Sequence, residues 1–222
     1  LYIHIPFCKK GCNYCDFYKK FQPTPAVMDS YLDAVEREME FRRDFVGGDP
    51  VRTIFFGGGT PSIYHPSSLQ RLIDKARTLW DLSGLEEVTA EINPSDATEE
   101  YLGELAKTEV NRISFGIQSF IDRDLALLGR RHNSQQAVKA IQAAREKGFD
   151  NLSVDLIFGI PGQTMKELDR NLMKAIALRV DHISAYHLTV ESGTPFGRMV
   201  ESGKISPIEE ADSEAQYLMI HN

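Results

Sequence analysis

Three cysteines stand in one short stretch, Cys8-Lys9-Lys10-Gly11-Cys12-Asn13-Tyr14-Cys15, and the chain has no others. An odd number of thiols in a tight loop cannot all be consumed as disulfides. A closed structural zinc site wants four ligands. The nearest histidine, His4, lies before the first cysteine inside an apolar run, so zinc would have to be shared between chains. Three thiolates also suit a [4Fe–4S] cluster with one iron left open. An open iron is a place for chemistry, because a substrate or cofactor binds it directly. Cys8, Cys12 and Cys15 are the expected metal ligands.

Further groups with chemical use follow apolar runs. Gly57-Gly58-Gly59-Thr60-Pro61-Ser62 comes after Val51 to Phe56. Glycines at a strand end let the backbone approach a ligand and offer N–H groups to a carboxylate or carbonyl. The spacing is neither the dinucleotide fingerprint nor a P-loop. Glu91 lies at the C-terminal end of the run Glu87 to Ile92, where ligands gather in α/β folds. Gln118 follows Asn111 to Gly116, placed to bond a ligand edge or to brace a loop. Asp155 is a lone acid within Leu152 to Phe158, and such a group must be hydrogen-bonded or paired. Lys9, Lys10, Lys19 and Lys20 form a small basic spot that reads as ligand-facing or as a solvated rim.

The elements that must position these groups alternate regularly. Leu1 to Ile5 reads as the first strand, and Tyr2 within it is read as core or as a site residue. Ala26 to Phe45 reads as an amphipathic helix, with Tyr31, Leu32, Val35, Met39 and Phe45 near helical spacing and Gly47-Gly48 ending it. Pro66 to Trp80, Thr98 to Thr108, Leu125 to Leu128, Ser134 to Lys147 and Thr164 to Leu178 read as helices. A sixth strand is expected over His182 to Val190 and a last helix over Ile208 to Asn222. Strand–helix alternation argues for parallel strands joined by crossovers. It leaves open sheet, full barrel and partial barrel undecided.

The 222 residues fit one α/β domain, and 42% hydrophobic residues allow a sizeable core. The formal charge of −7 argues against a general nucleic-acid surface. No apolar run reaches membrane-spanning length. Free thiols and the lack of a visible signal peptide give a cytoplasmic expectation. A core domain is expected over 1–200, with 201–222 the start of a truncated C-terminal region.

The spacing Cys-x3-Cys-x2-Cys with an aromatic before the last cysteine resembles the radical S-adenosylmethionine (SAM) signature. Six motifs narrow the resemblance: Tyr-Ile-His-Ile-Pro-Phe-Cys at 2–8, Gly-Gly-Gly-Thr-Pro-Ser at 57–62, Glu-Ile-Asn-Pro at 91–94, Asn-Arg-Ile-Ser-Phe-Gly-Ile-Gln-Ser-Phe at 111–120, Asp-Leu-Ile-Phe-Gly-Ile-Pro-Gly-Gln-Thr at 155–164 and Leu-Thr-Val-Glu-Ser-Gly-Thr at 188–194. Together they resemble the coproporphyrinogen III oxidase-like radical SAM proteins across nearly the whole chain. The resemblance implies an α/β fold, a partial (β/α)6 TIM-like barrel with helices outside. It implies a [4Fe–4S] cluster whose open iron is chelated by SAM, and a 5′-deoxyadenosyl radical formed on reduction. By the same resemblance, Tyr2 and Tyr14 pack on cluster and SAM; Gly58, Gly59 and Thr60 meet its methionyl part; Glu91, Gln118, Arg130 and Asp155 are its polar partners.

Two branches share these motifs. The oxidase branch has a further cysteine two positions after the third; here Phe17 stands there, within Cys15-Asp16-Phe17. The heme-chaperone branch reads Cys-Asp-Phe, with loops similar to Leu-Gly-Arg-Arg-His and Pro-Gly-Gln-Thr. The resemblance therefore implies heme as cargo, an acceptor protein at a membrane and a homodimer. The rival implication is oxidative decarboxylation of a porphyrinogen. His4, His65, His132, His182, His187 and His221 are the histidines available as a heme ligand, and His4 lies nearest the cysteine loop.

Overall fold

The computed structural model describes residues 1–221. Six strands build one all-parallel sheet in the order β1-β4-β5-β6-β7-β8. They are β1 (Tyr2–Ile5), β4 (Thr53–Gly58), β5 (Glu87–Ile92), β6 (Arg112–Gln118), β7 (Asn151–Phe158) and β8 (His182–His187). Two short strands, β2 (Phe7–Cys8) and β3 (Lys20–Phe21), pair beside it. Among the described residues no pairing joins β1 to β8. The C-terminal ends of the main strands, or the loops after them, nevertheless line one cavity, which a flat sheet could not achieve. The six strands are thus a partial barrel, as expected.

Alternation along the strands explains the layering, since successive side chains face opposite ways. One set is apolar and buried: Ile3 and Ile5, Ile54 and Phe56, Val88 and Ala90, Ile113 and Phe115, Leu152 and Val154. Helices cover these residues. Leu69, Leu72, Ile73 and Ala76 come from α2 (Pro66–Leu79); Ala137, Ala140, Ile141 and Ala144 come from α5 (Ser134–Glu146). The opposite set is largely polar, with Thr89, Ser114 and Ser153 buried and Arg112 bonded to Glu87 at 3.2 Å.

The helices begin at legible signals. Thr24 caps α1 (Pro25–Phe41), and Thr98 caps α3 (Glu99–Leu105). Asn133 with Gln136, and Thr164 with Glu167, form reciprocal capping boxes on α5 and α6 (Met165–Ala177). Helix ends correct the sequence reading. The first helix stops at Phe41, not Phe45, and residues 42–48 run on as turns. Phe45 is 80% exposed and no part of the apolar stripe. The sixth strand stops at His187 rather than Val190, and the segment after it carries α7 (Pro195–Glu201), which periodicity did not reveal. A six-residue helix, α4 (Asp122–Leu127), precedes α5. The last helix, α8 (Glu210–His221), lies within its predicted range; Asn222 lies outside the described residues.

Candidate functional site

The cysteine loop is folded by contacts at both ends. Parallel pairing of β2 with β3 brings its exit back to its entrance, with Gln22 N donating to Cys8 O at 3.1 Å. Its middle is gripped through Asn13. The Asn13 backbone N–H donates to Leu128 O at 2.9 Å, its side-chain amide to Leu127 O at 2.8 Å, and its carbonyl accepts from Phe196 N at 2.8 Å. The last carbonyls of a helix lack intrahelical partners, and Asn13 satisfies two beside the end of α4. Tyr14 then packs on a small apolar cluster of Leu128, Ile157, Ile160, Leu188 and Phe196. Burial pushes its hydroxyl pKa well up.

Cys8 is buried, and Cys12 and Cys15 are half-buried. Burial pushes the Cys8 thiol up; the Thr60 hydroxyl, 3.5 Å from its sulfur, acts the other way. Cys12 Sγ accepts from Arg130 Nη1 at 3.1 Å, and the other arm of Arg130 donates to Gly116 O. Arg130 Nε is buried with no partner among the described residues. That orphan donor is one sign of a group still to be bound.

Opposite the loop stand the ends of β4 to β7. Gly58 has φ +113, a conformation L side chains rarely adopt, and Glu91 Oε2 accepts its N–H at 3.1 Å. A Cβ on Gly59 would lie 2.8 Å from Phe7 O and 2.9 Å from Ile5 O, so only glycine fits against the backbone leading to Cys8. Glu91 is pushed up to about 7, first by burial and then by the charge of Asp155. Asp155 is itself raised by burial, with Ser114 Oγ donating to it at 3.3 Å. Gln118 takes φ +72, a strained backbone for a residue other than glycine. Such strain clusters at binding sites.

All three cysteines share one cavity of about 460 Å3 with Tyr14, Gly58, Gly59, Thr60, Glu91, Gln118, Arg130 and Asp155. Tyr2 does not line it. It is 57% exposed, stacks on Phe55 and shares a hydrogen bond with His4 Nδ1 at 3.0 Å. Its ring lies near Gly57 and Glu91 on the inward face of the sheet. Among the described residues, His187 is the one histidine that lines the cavity. His132 is held near 3 by burial and by Arg130, and so is neutral. Three thiols around a wide cavity suit a cluster in which each thiolate takes its own iron. Among the described residues no three His, Cys, Asp or Glu side chains converge on one ion-sized point. Sequence reasoning missed Asn13, which had no signal beyond lying between two cysteines.

An open parallel barrel with three cysteines beside a glycine turn and an acid at the next strand end defines a class. The radical SAM superfamily matches over residues 2–175, and the chain belongs to it. Within that class the chain is 42% identical to the heme chaperone HemW of Bacillus subtilis, over 96% of this chain and 56% of that protein. It is 36% identical to the heme chaperone HemW of Lactococcus lactis, over 98% of this chain and 57% of that protein. The chain spans about half the length of the curated relatives it matches. Among solved structures, the coproporphyrinogen III oxidase HemN of Escherichia coli superposes with a TM-score of 0.85 at 26% identity, over 99% of this chain and 50% of that one.

Proposed function

We propose that the chain is the SAM- and cluster-binding core of a heme chaperone that passes heme to an acceptor. The similarity to HemW over nearly the whole chain carries this reading, and Phe17 in place of the oxidase branch's further cysteine agrees with it. Cys8, Cys12 and Cys15 would hold a [4Fe–4S] cluster. Gly58, Gly59 and Thr60 would receive the methionyl part of SAM, with Glu91, Gln118, Arg130 and Asp155 as polar partners. When bound, the cluster supplies one electron to SAM; the protein supplies position and shelter from water. Tyr14 closes the floor, Arg130 compensates thiolate charge at Cys12, and Glu91 fixes the glycine turn.

No side chain here need move a proton in that reading, so none is assigned as general acid or base. Among the described residues no helix is long and apolar enough to cross a membrane. A cytoplasmic location, an acceptor protein at a membrane, a homodimer and the choice of heme ligand belong to the same proposal. The fold shared with HemN favours a second reading, oxidative decarboxylation of coproporphyrinogen III.

One anaerobic experiment separates the two. The full-length protein is reconstituted with iron and sulfide, then given SAM, a reductant and coproporphyrinogen III. Tetrapyrrole and 5′-deoxyadenosine are followed by mass spectrometry, and heme is titrated into a parallel sample. Stoichiometric heme binding with no loss of carboxyl groups is expected. Loss of two carboxyl groups would make the protein an oxidase, and failure to bind heme would remove the chaperone reading.

A further inference from the structure

Asp96 is an acid that the cavity does not use. Its side chain is only 2% exposed, and a buried carboxylate is costly unless its oxygens are fully met. Three donors meet them: Lys9 Nζ at 2.8 Å, Arg131 Nη2 at 2.7 Å and Ser62 Oγ at 3.1 Å. The short turn Pro94–Asp96 delivers the acid, with Asn93 Oδ1 accepting from Ser95 N at 3.1 Å.

The sources of the donors are what matter. Lys9 follows Cys8 directly, Ser62 lies just past Thr60, and Arg131 follows Arg130. Ser62 Oγ also accepts from Asn93 N at 3.2 Å, close after Glu91. Four segments far apart in the chain, each bearing a cavity group, therefore meet around one carboxylate behind the cavity wall. Lys9 has half its side chain in solvent, yet its ammonium turns inward to Asp96 rather than outward. The apolar layer under the helices packs on the other face of the strands and is separate from this meeting. Separating a buried carboxylate from one of its partners is costly, so arrangements that pull these segments apart are disfavoured.

We propose that Asp96 is a positioning residue. Through Lys9, Ser62 and Arg131 it sets the entrance of the cysteine loop, the glycine turn and the Arg130 segment in one arrangement before any cluster is present. Asn13 sets the far side of the same loop. The proposal rests on the reading that the three cysteines hold a cluster.

The test uses the full-length protein and the variants Asp96→Asn, Lys9→Met and the double variant. Each is reconstituted anaerobically with ferrous iron and sulfide. Iron uptake with time and the electron paramagnetic resonance spectrum of the reduced cluster, with and without SAM, are recorded. Lys9→Met should slow iron uptake about threefold, the size expected for one partly exposed ion pair, and broaden the resonance lines. Asp96→Asn should do so more strongly, and the double variant no worse than Asp96→Asn. Uptake and spectra equal to the parent's in both single variants would overturn the proposal. Should Asp96→Asn fail to fold, Lys9→Met decides alone, because its side chain is half exposed. A parent that assembles no four-iron cluster would overturn the cluster reading itself, and the proposal with it, before any variant is compared.

Discussion

At the scale of single residues, the cavity holds two carboxylates under opposing demands. Glu91 accepts the Gly58 N–H, which favours its charge, but burial and Asp155 push its pKa to about 7. An unfolded glutamate titrates near 4.5. Between those values the folded chain keeps a proton that the unfolded chain has released, so stability falls as pH rises across the window. Glu91→Gln keeps an oxygen for Gly58 and removes the charge. It should stabilise the unliganded protein at pH 8 by roughly 2–3 kcal/mol and leave it unchanged near pH 4.5. Urea unfolding at both pH values checks this, and an equal shift at both would sink it. Gly129 offers a second case. Its φ is +72, and an added Cβ would sit 2.9 Å from the Asn13 side chain. Gly148 has φ +90 with nothing within 4 Å. Alanine at either position meets backbone strain of about 1–2 kcal/mol. Gly129→Ala should cost more than Gly148→Ala in urea midpoint, the excess reporting the grip on Asn13; equal costs would show that the grip adds nothing to stability.

Among the elements, strands were more legible than helix ends. Leu1 to Ile5, Val51 to Phe56 and Leu152 to Phe158 are short apolar runs closed by Pro6, by Gly57 and by Gly159, and such bounded runs read as buried strands. The helix starts expected at Thr98 and Thr164 were equally plain, and both hydroxyls cap the helix that follows. The end of α1 was not. Phe45 continues the apolar spacing by coincidence, while residues 42–48 turn away and leave Phe41 89% and Phe45 80% exposed. Apolar character alone does not report burial. Phe45→Ser should therefore change stability by less than about 0.5 kcal/mol. Met39→Ala, inside the same predicted stripe and 5% exposed, should cost about 2–4 kcal/mol. Thermal or urea unfolding of the pair decides the point, and similar losses for both would mean that the helix runs on to Phe45. Two-residue strands such as β2 and β3 carry no readable period, so the closure of the cysteine loop was beyond the sequence.

For the whole molecule, the cavity groups were legible one at a time and their mutual arrangement was not. Cysteines, glycines and strand-end acids announce themselves by type and spacing. The meeting of Lys9, Ser62 and Arg131 on Asp96 depends on a three-dimensional path that no local pattern encodes. The same path sets the distribution of stability. Strands β5 and β6 lie in the middle of the sheet, paired on both sides and covered by helices, whereas β1 and β8 each present one unpaired edge among the described residues. Strand β8 is also the more open, with His182, Tyr186 and His187 exposed. Local opening follows burial and pairing, so amides that lose few contacts exchange first. Exchange should be slowest at Ile113 to Phe115 of β6 and markedly faster along Ile183 to Ala185 of β8, although both segments have regular strand bonds. Hydrogen–deuterium exchange read peptide by peptide tests this. Equal protection of β6 and β8 would mean that the free edge is covered in solution, by a further segment or by a second copy. In that case the cavity mouth beside Tyr186 and His187 would be narrower than the open barrel shows.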